Sequence, residues 1–590
     1  MLHEDIHESM LVDTEALRDL LSPYSTETIA GMCSSKLMSW FSTWDEVSPL
    51  ISPTRQVFFL LGLMLSTEEP AEPQMFGDLE FQKAVVLLND IFQAYAVMYW
   101  PSPEEEPQIT DDWRHVREVS MPAFLHYFNT TLMASVEQII KRVERYLAPF
   151  DSEFEEIAGL SATEALEITR WITKTFEQGV IEMQDAARQE YEARLRFLER
   201  TEAETWSIER MRKEASQGEY YAHGQRMMKA LNDFLKVDKK VLVSEFGEEP
   251  ANAYWTLFVS ERGDSPEFTY MTEHNAAEEK PLFTVNDGSR ALCPFANSLY
   301  AAVLLNYENM IQDSSFRDRF FRRRDRELEQ EVEETFGKLF TEGAEFHPHV
   351  FETQDLQHEH DLVIIADGAL LIIEAKASPP VEPFRDPDKA FERISRRFRS
   401  DRGIQGGYGQ AMRILGRLLA GESVSLYDEN RREAASISPA DLDRCYAICV
   451  TRDDFGPISV DLSLLLTKSA NEPYPWAINI LDLNYLIDAW TYLDLGPDQL
   501  YAYLDSRLDL HGRIIAFDEL DLAGAFLQHA GLEMIPRSEG SRTYFSETYS
   551  DVFDKIYDAQ RGGPEFKLTT TEPVLVDVKE KLKELSMEQG

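Results

Sequence analysis

The sequence predicts a mixed α/β protein. It divides into a helical N-terminal region over 1–235, a small mixed β module with a linker helix over 236–314, an α/β core over 315–470 and a helical C-terminal region over 471–590. Three observations predict this. Apolar residues recur at helical spacing through most of the first 235 positions and again after 471. Three short runs, VLVSEF, YWTLFVS and PLFTV, are β-like and separated by turns between Lys239 and Val285. Finally, Asp361 to Lys376, DLVIIADGALLIIEAK, sets two strand-like runs on either side of Asp367-Gly368.

In the N-terminal region, Leu17, Leu20 and Leu21 begin an amphipathic pattern that Val85, Leu88, Ile91, Phe92 and Tyr95 continue. The longest apolar run, Val57 to Leu65, is too short to span a membrane and reads as a buried helix. Pro101-Ser102-Pro103 followed by three glutamates reads as an exposed acidic loop, and a further helical block is expected from Met121 to Tyr146. Ser161 with Glu164 three residues later is a capping box that opens a long helix. Opposite charges four residues apart, as in Glu190 with Arg194 and Glu192 with Arg196, mark either an arm for a protein partner or self-association, or a solvated helix face.

At 590 residues the chain has room for two to four domains. A hydrophobic content of 43% with 28% charged residues is that of a globular protein. The net charge of −47 excludes nucleic-acid binding over the whole surface, so any such site must be local or supplied by a partner. Four scattered cysteines, Cys33, Cys293, Cys445 and Cys449, and an acidic N-terminus without an apolar stretch lead us to expect a reducing, cytoplasmic setting.

Asp-Gly between two apolar runs signals a tight hairpin, because a type I′ turn needs φ > 0 at both central residues. Counting outward from the turn, Ala366 faces Ala369 and Asp361 comes to lie opposite Glu374. Alternation puts Lys376 on the face of Glu374. Directly opposed Cβ atoms stand roughly 4.5–5.5 Å apart, so the two carboxylates repel unless a hard cation lies between them.

Asp361 with Glu374-Ala375-Lys376 resembles the core motif of the PD-(D/E)XK phosphodiesterases, the restriction-endonuclease-like superfamily, over residues 315–460. His360 stands where that motif usually has proline. The resemblance implies a restriction-endonuclease-like core binding Mg²⁺ or Mn²⁺ through Asp361, Glu374 and the main-chain carbonyl of Ala375, with Lys376 positioning or deprotonating the attacking water. It also implies a nuclease acting on DNA, with RNA as a further substrate, and by analogy a role in antiviral defence. The alternative is a catalytically inactive scaffold of the same shape used for protein binding.

On the helix before the hairpin, Leu328, Val332, Phe336, Leu339 and Phe340 fall within about 120° of one another, and Glu329 lies at about 100°, inside that arc. The superfamily often supplies a glutamate from this helix, which carries a catalytic role over to Glu329; the other reading is a salt bridge to a neighbouring arginine. After the hairpin, Arg385 to Arg402 holds seven basic and four acidic residues. Arg393, Arg396, Arg397 and Arg399 are the candidate nucleic-acid contacts, unless they pair with the abundant acids. A second basic run, Arg317 to Arg326, precedes the core helix.

The helix Ile404–Leu419 follows, and the superfamily often places a glutamine here: Gln410 is the candidate, with Gln405 and Tyr408 as the alternative. Cys445 to Thr451 and Trp476 to Ile480 read as further strands, the first beside the hairpin. The histidines His347, His349, His358 and His360 match no closed zinc spacing. A strand that extends back past Asp361 sends His360 to the face opposite Asp361, so His360 reaches the site only if the strand begins at Asp361. The acids of DELDLAGAFLQHAGL (518–532) are expected at caps and on the surface, and the tail from Thr569 is expected to be charged.

Overall fold

The computed structural model describes residues 3–42, 47–101, 109–129, 135–204, 206–265, 267–285, 288–341, 343–378, 386–533, 535–536 and 542–570. The acidic loop expected at 102–106, Arg385 and most of the charged tail lie outside these residues. The architecture is mixed α/β with extensive helical regions. It comprises two compact units, one drawn from 1–97 and 131–320, the other from 98–130 and 321–590.

In the first unit, helix Pro53–Leu65 carries the longest apolar run and is buried from Gln56 onward. Ser161 Oγ accepts from Glu164 N at 3.1 Å, and Glu164 Oε2 accepts from Ser161 N at 3.1 Å. This capping box opens the 43-residue helix Ala162–Glu204. Two of the three β-like runs are helical instead. Asp238 caps Lys239–Phe246 by accepting from Lys240 N. In Glu248–Phe258 the buried residues are Ala251, Tyr254, Trp255 and Phe258, a helical stripe that aromatic content had disguised as a strand. Only Leu282–Val285 forms a strand along its length, in a four-stranded sheet with Lys236–Asp238, Arg290–Leu292 and Val259–Ser260.

The second unit is built on a seven-stranded sheet. Its elements are α1 (Asp111–Asn129), α2 (Arg317–Leu339, in this unit from Phe321), β1 (Glu345–Phe351), β2 (Glu359–Ala366), β3 (Ala369–Lys376), α3 (Pro387–Phe398), α4 (Ile404–Leu419), β4 (Val424–Tyr427), β5 (Glu433–Ile437), β6 (Arg444–Thr451), β7 (Trp476–Asn479), α5 (Ile480–Tyr492), α6 (Pro497–Arg507) and α7 (Glu519–His529). The strand order is β7-β6-β3-β2-β1-β4-β5. β1, β2 and β3 form an antiparallel meander, while β3, β6 and β7 run parallel. One face packs Leu362, Ile364, Leu371 and Ile373 against Leu328, Val332 and Phe336 of α2 and against α5 to α7. The other packs Val363, Leu370 and Ile372 against Ala411, Ile414 and Leu415 of α4. Both faces of β3 are therefore covered, which is why it reads as an unbroken apolar run.

The turn is as expected. Ala366 pairs with Ala369, and Asp367 and Gly368 adopt φ values of 48° and 71°. Gly368 O accepts from Asp443 N at 2.8 Å and so ties the hairpin to the entry of β6. Helix α1, remote in sequence, packs Val119 with Ala390, Ile394 and Phe398 of α3. Arg117 pairs there with Asp388 at 2.8 Å, and His126 pairs with Asp454 at 3.1 Å. On α7, Asp518 and Asp521 form the expected cap, but Glu519 is buried rather than on the surface. It accepts from Arg507, Trp476 and Tyr503, which balances its charge. Among the described residues no helix is long and apolar enough to cross a membrane.

A Cβ at position 368 would stand 2.8 Å from Asp443 Oδ2 on a backbone that disfavours side chains. Gly368→Ala should therefore lower stability by about 1–3 kcal/mol in chemical denaturation. An unchanged midpoint would show that the turn does not constrain the hairpin.

Candidate functional site

The site forms where β2 begins and β3 ends. The last bridged pair of the hairpin is Leu362 with Ile373, one step short of Asp361 and Glu374. Those two do not continue the ladder. Instead, Asp361 Oδ2 accepts from the main-chain N of Ala375 at 2.7 Å. Lys376 Nζ then lies 3.5 Å from Asp361 Oδ2 and 3.3 Å from Glu374 Oε2. An ammonium thus bridges the two carboxylates that the sequence set side by side. Glu374 is fully buried and Lys376 nearly so, while Asp361 keeps a partial opening to solvent.

Neighbouring backbone shapes this arrangement. Pro348 pairs with Leu362 and Val350 with His360, but His349, at φ 49°, and Asp361 form no bridge between them. The alternation of faces is reset across that gap. Leu362 lies in the core under α2, whereas Val350, opposite His360, packs beneath α4 with Val363. β2 begins at Glu359, yet His360 reaches the site, contrary to simple alternation. Its Nδ1 is 2.8 Å from Glu374 Oε1 and its Nε2 is 3.1 Å from Glu352 Oε1. The same Glu352 oxygen accepts from Arg413 Nε of α4 at 2.7 Å. On α4, a Cβ at Gly407 would stand 3.1 Å from Lys376 Cε and 3.4 Å from Glu374 Cβ. A side chain at position 407 would crowd Lys376, so glycine favours this close approach of the helix.

Glu329 comes from α2, in the arc that its periodicity indicated. Burial, and then the charge of Asp361, push its carboxyl up to about 7. Among the described residues its ionic contact is the imidazole of His349, at 3.8 Å, rather than a neighbouring arginine. Burial also raises the Glu374 carboxyl, against the pull of His360 and Lys376. Burial draws the Lys376 ammonium down, but Asp361 and Glu374 outweigh it and hold the group above its ordinary value. For His360 too, burial opposes the charge while Glu352 and Glu374 outweigh it, so the imidazole is raised.

Gln410 lies half-buried one turn beyond Gly407, between that glycine and Arg413 on α4. The alternative pair is engaged elsewhere: Gln405 exchanges hydrogen bonds with the main chain of Thr467, and Tyr408 donates to Glu472 and the carbonyl of Pro473. Arg393, Arg396, Arg397 and Arg399 are exposed on or just after α3, whose buried face is Ala390, Ile394 and Phe398. Three arginines of the earlier basic run are paired, Arg319 with Glu153, Arg323 with Glu327 and Arg324 with Asp325.

Among the described residues no three Asp, Glu, His or Cys side chains are already gathered as a cation cage. The donor chemistry nevertheless fits a hard divalent cation: Asp361, Glu374, Glu329 and the Ala375 carbonyl offer oxygen alone, and Asp361 raises the Glu329 pKa as an incompletely balanced charge would. The chain matches no protein-family model, no curated protein and no solved structure.

Because the Glu329 pKa is raised in the folded chain, its contribution to stability is complete below its unfolded value near 4.5 and is lost as pH rises through about 7. In metal-free buffer at pH 8, Glu329→Gln should be more stable than wild type by on the order of 1 kcal/mol after solvent screening. The two should coincide at pH 4. Denaturation curves at both pH values check this, and equal stability at pH 8 would contradict the assigned environment.

Proposed function

We propose that the second unit is a metal-dependent nuclease of the PD-(D/E)XK kind that hydrolyses phosphodiester bonds, with DNA as substrate. The observation that carries this reading is the meeting of Asp361, Glu374 and Lys376 at one strand end, with Glu329 brought to Asp361 from α2. The antiparallel meander followed by a parallel strand beyond a helical crossover also supports it. So do the exposed arginines of α3, a local basic surface in a chain of net charge −47.

Mg²⁺ or Mn²⁺, held by Asp361, Glu374 and the Ala375 carbonyl, would supply a Lewis acid and lower the pKa of a bound water. Lys376 keeps a full positive charge beside both carboxylates and offsets the negative charge that develops on the phosphate oxygens. Glu329, with a pKa of about 7, can take or give a proton at its carboxyl near neutral pH. Gln410 lies on the helix face that covers the site and can orient a water or a phosphate oxygen. Arg393, Arg396, Arg397 and Arg399 engage flanking phosphates without reading base sequence.

One observation favours the rival reading of an inactive scaffold. Both Glu374 oxygens are engaged by the protein's own cations, His360 and Lys376. Cleavage of single- and double-stranded DNA and RNA in Mg²⁺ or Mn²⁺ separates the two. The nuclease reading expects activity in wild type and a loss of at least about 100-fold in Lys376→Ala and Asp361→Ala, with folding retained. Activity that persists in both variants, or is absent from wild type on every substrate, would overturn it.

A further inference from the structure

The metallonuclease reading leaves one buried residue of the site without a task. His360 is fully buried, occupies the position before Asp361 and places both ring nitrogens against carboxylates. A merely space-filling imidazole would leave one nitrogen to water or to a backbone group. Here the ring joins Glu374 to Glu352, and Glu352 is itself tied to Arg413 of α4.

We infer that His360 is a positioning residue. Its Nδ1–H holds Glu374 Oε1, so the carboxylate presents Oε2 toward Asp361 and Lys376, and the Glu352–Arg413 pair fixes the plane of the ring. The proposal rests on the metallonuclease reading, since it assigns Glu374 as a metal ligand. Its physical basis is general. A ligating carboxylate whose second oxygen is anchored loses less freedom when the cation binds, and such supporting bonds are typically worth about 10–100-fold in metal affinity.

The test uses the full chain and Mn²⁺ alone, titrated by electron paramagnetic resonance, with thermal denaturation as the folding control. In His360→Asn the amide can take the place of Nδ1 and keep the bond to Glu374; in His360→Gln it takes the place of Nε2 and keeps only Glu352. The expected result is an Mn²⁺ affinity within about threefold of wild type for His360→Asn and about 10–100-fold weaker for His360→Gln. Equal affinities in the two variants would overturn the positioning role, because a structural role depends on the bulk and burial that both replace. If neither variant folds, Glu352→Gln decides: weaker Mn²⁺ binding supports the proposal and wild-type affinity overturns it. Glu374→Gln separates the two levels of the claim. If it binds Mn²⁺ as wild type does, or if wild type binds none, the metallonuclease reading falls and this proposal falls with it. If only the two His360 variants behave alike, the nuclease reading stands.

Discussion

Four carboxylates, Glu329, Glu352, Asp361 and Glu374, converge at one end of the β2–β3 hairpin, and none is fully solvated. Burying them requires cations from elsewhere in the chain. The fold supplies Lys376 from β3, His360 from β2 and Arg413 from α4. The result is a path of alternating charge, Arg413, Glu352, His360, Glu374, Lys376, Asp361. Leaving one member unpaired in such a buried setting typically costs about 3–5 kcal/mol. Much of the surrounding architecture follows from this. α4 delivers Arg413 while Gly407 eases its approach to Lys376, and Glu352, just after β1, joins the same network. Glu329 has only an imidazole, His349, at 3.8 Å, and burial with the charge of Asp361 pushes its carboxyl up to about 7.

The same balance is repeated in the body of the second unit at Arg507 and Glu519, where Tyr503 and Trp476 complete the hydrogen bonding of a buried acid. A chain with a net charge of −47 cannot leave its acids unmanaged in the interior. It follows that exposed, clustered arginines are the informative departure. α3 satisfies its apolar face against α1 and leaves Arg393, Arg396 and Arg397 exposed.

Legibility in the sequence tracked how local each cause was. The β2–β3 turn depends on Asp367 and Gly368 alone, so the register of the hairpin could be counted from the chain. Glu329 was visible because helical periodicity placed one acid inside an apolar arc. The role of His360 was not visible. It depends on a break in strand alternation at His349 and Asp361, and on Glu352 and Arg413 arriving from other elements. Alternation alone sent His360 away from the site. Tyr254, Trp255 and Phe258 misled in the other sense, since aromatic residues suit a strand in isolation but here form a buried helical stripe. The hairpin of β4 and β5 is hard to read because its strands are only four and five residues long, although Val424, Leu426, Ala435 and Ile437 alternate onto the core. Glu519 shows the same limit: only its distant partners explain why an acid lies in the core.

The central claim is that the β2–β3 hairpin end is a cation-binding catalytic centre rather than a closed ion network. Anomalous diffraction from crystals grown with Mn²⁺ tests it most directly. One peak is expected at ordinary Mn–oxygen distances, about 2.0–2.4 Å, from both Asp361 and Glu374, with Lys376 shifted from its bridging position. Crystals with Mn²⁺ in the solvent but no peak there, and Lys376 still spanning the two carboxylates, would contradict it.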